Sequence, residues 1–174
     1  MARPLLVLVS GHPGAGKTTL GRAIGDVMHL PHVNRDRLRD GMWVTDPTSI
    51  DQPRTWQVFL DTIRLFLDNG ISLVVDQTLY LGMVDDLRAL TERGDVINVL
   101  VRCPNAYERW FAKVTSDPRG VSADFDAVVE RVHRQRDEMA NPLPLGVPVI
   151  EVDTSDGYDP PLDELARLIS GSRS

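Results

Sequence analysis

A glycine-rich segment near the start of the chain contains the residue types of a phosphate-binding loop. Residues 11–19 read Gly-His-Pro-Gly-Ala-Gly-Lys-Thr-Thr and match the pattern Gly-x-x-x-x-Gly-Lys-Ser/Thr at every fixed position. In such a loop, glycines let backbone N–H groups point at phosphate oxygens, Lys17 supplies a positive charge, and the Thr18 hydroxyl can coordinate Mg²⁺. The segment predicts a nucleotide site, whose expected residues are Gly11, His12, Pro13, Gly14, Ala15, Gly16, Lys17, Thr18 and Thr19.

An apolar run before the loop and a helical pattern after it provide the elements that such a loop needs. Residues 5–9 are all apolar, which is typical of a parallel strand buried on both faces. Leu20, Ile24, Val27 and Met28 then recur at helical spacing. A helix that begins after the loop would add the positive end of its dipole to the phosphate site.

The alternation of strand and helix continues along the chain. Apolar runs of strand length are separated by helical patterns, which predicts an α/β fold with helices on both faces of a five-stranded parallel sheet. The 174 residues, 42% of them hydrophobic, fit a single domain. The predicted strands are residues 5–9, 32–34, 71–75, 96–101 and 148–152.

Helical patterns also predict the elements between these strands. Apolar residues recur at three and four over residues 56–67, and a shorter pattern covers residues 84–90. Ser122 is predicted to cap a helix that continues to Met139. Asp159, which precedes two prolines, is predicted to start the last helix.

Composition and charge disfavour several classes of protein. The chain has 19 Lys and Arg against 25 Asp and Glu, a net charge of -6, which is the wrong sign for a protein that binds along a polyanion. Nucleic acid binding is therefore disfavoured but not excluded. No segment reaches the roughly 18–20 consecutive apolar residues of a membrane span, and little chain precedes the phosphate loop for a signal peptide. We expect a cytoplasmic protein without a membrane segment.

Cysteine and histidine give little sign of further chemistry. The lone Cys103 cannot form an internal disulfide, and the apolar residues before it predict a buried thiol at a strand end. The four histidines lack the spacing of a zinc site. His12 occupies a variable position of the phosphate loop and is expected to point to solvent.

The end of the second predicted strand carries a candidate for acid–base chemistry. Residues 33–39 read Val-Asn-Arg-Asp-Arg-Leu-Arg. Ligands of doubly wound sheets bind outside the carboxyl ends of the strands, so a carboxylate here would face the γ-phosphate across the cleft. Asp36 could deprotonate a substrate hydroxyl, and Arg39, one helical turn later, could steady charge or hold the substrate. The alternative role for Asp36 is to cap a helix.

Residues 34–39, Asn-Arg-Asp-x-x-Arg, resemble the matching segment of the polynucleotide kinases. More broadly, the chain resembles the AAA-type ATP-binding small kinases that include chloramphenicol phosphotransferase and zeta toxins. The resemblance implies a P-loop NTPase fold with a small helical lid at about residues 113–140, and ATP and Mg²⁺ as cofactors. It also implies a general base, Asp36, and a substrate or transition-state contact, Arg39, which join Lys17 as the expected catalytic residues.

The resemblance extends to the third strand and the lid. Asp76 ends the third predicted strand, where this family has an aspartate that holds Mg²⁺ through water or hydrogen-bonds Thr18 or the substrate. The expected metal site is therefore Thr18 and Asp76. Arg109 matches an arginine that packs on adenine. A second lid cation is expected to contact the phosphates, and its alternatives are Lys113, Arg119 and Arg134. The expected nucleotide contacts outside the loop are Arg109, Lys113, Arg119, Asp153 and Thr154.

These features together predict an ATP-dependent kinase that transfers the γ-phosphate to a hydroxyl of a small-molecule acceptor. The alternatives are a 5′-hydroxyl polynucleotide kinase, a regulatory protein that binds a nucleotide without transfer, and a zeta-like toxin. A monomer or a homodimer is expected. The acceptor pocket is predicted to suit a polyhydroxylated or cationic compound, and its candidate residues are Trp43, Asp46, Asp51, Tyr80 and Met83.

Overall fold

The architecture is a five-stranded parallel sheet with helices on both faces, as the sequence predicts. The structure is a computed structural model and describes residues 3–46, 52–116 and 125–173. All four strand pairings are parallel, and the spatial order of the strands is β2-β3-β1-β4-β5. The strands are β1 (Leu5–Gly11), β2 (His32–Asn34), β3 (Leu73–Asp76), β4 (Asp95–Arg102) and β5 (Val149–Asp153).

Eight α-helices within the described ranges surround this sheet. They are α1 (Lys17–Met28), α2 (Arg35–Thr45), α3 (Gln52–Asp68), α4 (Val84–Arg88), α5 (Ala106–Ser116), α6 (Phe125–Arg134), α7 (Arg136–Ala140) and α8 (Leu162–Gly171). Within those same ranges, none of them has the length and apolar composition that crossing a bilayer requires.

The sheet is buried on both faces because its central strand has apolar side chains in both directions. Every residue of β1 is buried. One apolar cluster packs α1 and α8 against the sheet, whereas α3 packs against the opposite face with Phe59, Leu60, Ile63 and Leu67. This spacing of three and four residues is the pattern that predicts the helix, so the apolar stripe of α3 is its core face.

Two predicted boundaries differ from the structure because other backbone groups take the hydrogen bonds of the residues concerned. Ile71 lies outside β3, since its N–H donates to the Phe66 carbonyl at the end of α3. Asp159 does not start the last helix, which begins at Leu162. Instead, Asp159 exchanges backbone hydrogen bonds with Asp153 in an antiparallel bridge.

Two predicted helices are shorter than expected. The pattern over residues 84–90 yields only α4, with 3₁₀ turns at Leu81–Met83 and Ala89–Glu92. The helix expected to reach Met139 is broken at Gln135, whose φ of -100° and ψ of 14° separate α6 from α7. Its proposed cap, Ser122, lies outside the described residues.

Candidate active site

The phosphate loop connects β1 to α1 at the carboxyl edge of the sheet. Gly14 has a φ of 82°, and a Cβ there would lie 2.0 Å from the Ala106 carbonyl oxygen at the start of α5. A Cβ on Gly11, whose φ is 135°, would lie 2.5 Å from the Val101 carbonyl oxygen. Only glycine fits either position, so the loop and the β4–α5 connection pack backbone against backbone.

Lys17 is the first residue of α1, and its side chain is buried. Its Nζ donates to the His12 carbonyl at 2.7 Å, so the amine is folded over the loop. Burial lowers the pKa of Lys17 to about 8, against the opposing effect of the negative charges of Asp76 and Asp36. The structure thus brings all three predicted residues within electrostatic reach of each other at the mouth of the loop.

Asp76 lies at the end of β3 and is 1% exposed. Its Oδ2 accepts hydrogen bonds from the Thr18 hydroxyl and from Asn34 Nδ2, each at 2.7 Å. Its Oδ1 lies 2.6 Å from His32 Nε2. Of the roles predicted for Asp76, the hydrogen bond to Thr18 is the one that this structure contains.

The oxygens of Thr18 and Asp76 fit the chemistry of a Mg²⁺ site. Both are hard ligands, and they lie at the end of the loop where phosphates would supply more oxygens. Within residues 3–46, 52–116 and 125–173, no cluster of three or more His, Cys, Asp or Glu side chains is arranged to hold a metal. Mg²⁺ here would therefore take most of its ligands from the nucleotide and water, as it commonly does in kinases.

Asp36 lies in the first turn of α2, directly after β2. The helix is capped by Asn34, whose Oδ1 accepts from the Arg37 N–H at 2.9 Å, so a capping role for Asp36 is wrong. The Asp36 side chain is 59% exposed, and its Oδ1 lies 3.3 Å from Arg39 Nη1. Arg39 also lies 3.4 Å from Asp40. A carboxylate that is exposed and free of the cap can accept a proton from a bound hydroxyl.

Arg35 and Tyr80 lie within electrostatic reach of Asp36. Arg35 is buried and donates to the backbone and side-chain oxygens of Gln52, and burial lowers its pKa. Burial raises the pKa of the Tyr80 phenol, and the positive charges of Arg131 and Arg35 oppose that rise. Tyr80 therefore lies among charges of both signs, since Asp36 and Glu138 add to the rise.

The other residues predicted for the acceptor pocket are scattered. Trp43 is 60% exposed on the outer part of α2. Asp46 lines a groove between α2 and α3, together with Arg37 and Arg54. Met83 packs against the apolar core. Asp51 lies outside the described residues.

A cavity of about 310 Å³ lies beside the phosphate loop, between the β4–α5 connection and α7. His12 is half-buried and lines this cavity, so the expectation that it points to solvent is wrong. Burial and the positive charges of Arg136, Lys17 and Arg102 lower the pKa of His12, while Asp137 raises it. Cys103 is also half-buried in this wall rather than fully buried.

The predicted nucleotide contacts on α5 and β5 lie beside the loop. Thr154 donates its hydroxyl hydrogen to the Ala15 carbonyl at 2.7 Å. Arg109 Nη2 donates to the Ser155 carbonyl at 3.4 Å, at the turn after β5. Hydrogen bonds from the hydroxyl and N–H of Ser155 lower the pKa of Asp153, which is exposed. Thr154 and Arg109 thus join the loop, α5 and the turn after β5.

The cations predicted to contact the phosphates are less well placed. Lys113 is exposed in the last turn of α5. Arg134 forms an exposed ion pair with Glu130 at 2.9 Å. Arg119 lies outside the described residues. Arg136, which is not among the predicted contacts, lines the cavity beside His12.

Two residues near Asp76 were missed by sequence reasoning. Asn34 could have been found from its position before a helical pattern, since asparagine is a preferred N-cap. His32 carries no such signal, because its contact with Asp76 depends on the pairing of β2 with β3.

Comparisons with known proteins agree with the fold. A family model described as an AAA domain matches residues 6–142. No curated protein matches the sequence. A solved structure of a putative kinase from Chloroflexus aurantiacus j-10-fl is 22% identical, covers 98% of this chain and 99% of its own, and has a TM-score of 0.78.

Two further solved structures have the same fold with different acceptors in their descriptions. A gluconokinase from Sinorhizobium meliloti 1021 is 19% identical over 99% of this chain and 93% of its own, with a TM-score of 0.59. Shikimate kinase from Acinetobacter baumannii, in complex with shikimate, is 20% identical over 97% and 91%, with a TM-score of 0.54. The chain therefore belongs to the AAA domain family, and it has the fold of the small P-loop kinases.

Proposed function

We propose that this protein is an ATP-dependent kinase that transfers the γ-phosphoryl group to a hydroxyl of a small-molecule acceptor. The observation that carries the proposal is the position of Asp36, an exposed carboxylate in the first turn of α2. It lies within electrostatic reach of Lys17 and 3.3 Å from Arg39. A protein that only bound a nucleotide would have no use for a base opposite the phosphate loop.

The transfer follows from these positions. The backbone N–H groups of the loop and the Lys17 amine bind the phosphates, while Thr18 and Asp76 would hold Mg²⁺. Mg²⁺, when bound, supplies positive charge against the phosphate oxygens. As the acceptor oxygen bonds to the γ-phosphorus, its proton passes to Asp36 and the bond to the ADP oxygen breaks. Arg39 orients the carboxylate and steadies the transferring charge.

Similar structures support a small acceptor. Two of these structures are described as a gluconokinase and a shikimate kinase, and gluconate and shikimate are small polyhydroxylated acids. The charges near Tyr80 are of both signs, Arg131 and Arg35 against Asp36 and Glu138, so they do not select an acceptor by its charge.

The test is a screen for acceptor-dependent ADP formation. Gluconate, shikimate, other sugars, nucleosides, aminoglycosides and oligonucleotides would be offered with ATP and Mg²⁺. With the acceptor found, Asp36→Asn should lower kcat by about 10²- to 10⁴-fold, because the general base is lost. Asp40→Asn is the matched control, since Asp40 also contacts Arg39 from α2. Equal turnover by Asp36→Asn and the wild type would rule out the proposed base.

The second candidate is a 5′-hydroxyl polynucleotide kinase. It is favoured by the segment Asn34-Arg35-Asp36-x-x-Arg39 and by the groove beside α2, of about 590 Å³, in which Arg37 and Arg54 lie. In the screen, this candidate predicts phosphorylation of oligonucleotides with an affinity that falls steeply as salt is raised. Turnover of small acceptors alone would exclude it.

A further inference from the structure

Asn34 uses both ends of its side-chain amide, and the two ends contact different parts of the site. Its Oδ1 accepts from the Arg37 N–H at 2.9 Å and so caps α2, the helix that carries Asp36. Its Nδ2 donates to Asp76 Oδ2 at 2.7 Å and lies 3.3 Å from Thr18 Oγ1. One planar group therefore joins the expected metal site to the helix of the expected base.

We propose that Asn34 is a positioning residue that couples binding of the Mg²⁺–nucleotide at Thr18 and Asp76 to the placement of Asp36. The inference rests on the proposed function for the role of Asp36, and on the described contacts alone for the coupling. In this account, the occupied nucleotide site fixes the first turn of α2, so the base is aligned only when there is a phosphate to transfer.

The contact between Asn34 and Asp76 follows from the pairing of their two strands. Asn34 and Asp76 are register partners in the parallel pairing of β2 with β3. Both strands end at this point, so their last side chains lie next to each other at the carboxyl edge of the sheet. Asp76 is 1% exposed, and little water can compete for its oxygens.

The hydrogen bond from Asn34 Nδ2 to Asp76 Oδ2 is sensitive to the contacts of the Thr18 hydroxyl. In the structure, the Thr18 hydroxyl donates to the same oxygen that Asn34 contacts, and Nδ2 lies between the two acceptors. A cation that binds the Thr18 oxygen takes the second of its two lone pairs and reorients the hydroxyl, which changes the geometry of its contact with Nδ2. The amide of Asn34 adjusts to that change, and its Oδ1 end transmits it to α2.

Only an amide has a donor and an acceptor arranged for both contacts. Serine also caps helices well, but its hydroxyl is too short to cap α2 and reach Asp76 together. Asn34→Ser therefore separates the two roles, whereas Asn34→Ala removes both. Asn69→Ser is the matched control, since Asn69 is exposed just after α3 and its side chain donates to the Leu65 carbonyl, away from the site.

The experiment is hydrogen exchange of the first-turn amides of α2, with and without Mg²⁺ and ADP, in the wild type and the three variants. The wild type and Asn69→Ser should show slower exchange when the nucleotide is bound. Asn34→Ser should bind Mg²⁺ and ADP, since His32 and Thr18 still contact Asp76, but lose the change in α2. Once the acceptor is known, the kcat of Asn34→Ser should be about 10- to 100-fold below that of the wild type. Loss of a residue that orients a metal ligand commonly has an effect of this size.

The outcomes separate this inference from the proposed function. If the wild type binds Mg²⁺ and ADP and α2 exchange does not change, the coupling is overturned and the kinase proposal stands. The coupling is also overturned if Asn34→Ser shows the same slowing of α2 exchange on nucleotide binding as the wild type. Asn34 would then act only as a cap. If the coupling is present but no acceptor is phosphorylated, the inference about Asn34 stands and the proposed function falls.

Discussion

Thr154 donates its hydroxyl hydrogen to the carbonyl oxygen of Ala15 at 2.7 Å, across 139 residues of sequence. Ala15 is fully buried in the phosphate loop, and Thr154 follows β5. The Thr154 N–H also donates to the Arg102 carbonyl at 2.9 Å. This residue therefore holds the phosphate loop to the ends of β4 and β5, on the side where the nucleotide base is expected.

Replacing Thr154 with valine keeps the shape of the side chain and removes the donor. The Ala15 carbonyl would lose its partner, which should lower the free energy of unfolding by about 1–3 kcal/mol. Affinity for Mg²⁺ and ADP should also fall, because the loop is less firmly held. Thr154→Ser should behave like the wild type in both urea unfolding and calorimetry. Unchanged stability of Thr154→Val would show that the bond does not hold the loop.

Lys17→Met should separate binding from folding. The lowered pKa of Lys17, about 8, shows that the folded protein disfavours the buried charge. Removing that charge should leave the melting temperature equal to or above that of the wild type, while turnover falls by at least about 10²-fold. Differential scanning calorimetry and ADP release measure the two effects. A strong loss of stability would mean that the amine is a structural partner of the loop.

The affinity for Mg²⁺ and ADP should depend on pH above about 8. Below that value the Lys17 amine of the free protein is already protonated, so binding changes little. Above it, the phosphates must bind together with a proton, and the dissociation constant should rise by up to about tenfold per pH unit. Calorimetry across this range tests the slope, and Lys17→Met should remove it.

The stability of the nucleotide-free protein should rise with pH over the range in which its affinity for the nucleotide falls. The pKa of Lys17 is 10.5 in the unfolded chain and about 8 in the folded one, so the unfolded state binds more protons between these values. The free energy of unfolding should therefore rise from pH 8 to 10.5 relative to that of Lys17→Met. Urea unfolding of both proteins checks this difference, and parallel curves would contradict the lowered pKa.

Arg136 should contribute more to transfer than Arg134. Both arginines are exposed, but Arg136 lines the cavity beside His12, whereas Arg134 is paired with Glu130. Arg136→Gln should lower kcat by about 10²-fold, as loss of one group that stabilises transition-state charge commonly does. Arg134→Gln should have little effect on kcat or stability, since exposed ion pairs contribute little. A larger loss of kcat in Arg134→Gln than in Arg136→Gln would instead favour a phosphate contact on α6.

The site could be predicted from sequence wherever one short segment carries the information. The phosphate loop and the aspartates that follow β2 and β3 each lie within a few residues of the pattern that predicts them. The break at Gln135 and the bridge of Asp159 to Asp153 could not be predicted in this way. Both are set by the backbone conformation, which apolar periodicity does not report.

The sequence by itself determined the glycine-rich loop, the alternation of strands and helices, and the presence of Asp36 and Asp76 at strand ends. These follow from local backbone preferences and from apolar periodicity, which act over a few residues. The tertiary structure alone decided that Asn34 contacts Asp76 and that Thr154 contacts Ala15. Both contacts lie at the carboxyl edge of the parallel sheet, where strand order brings together residues that are far apart along the chain.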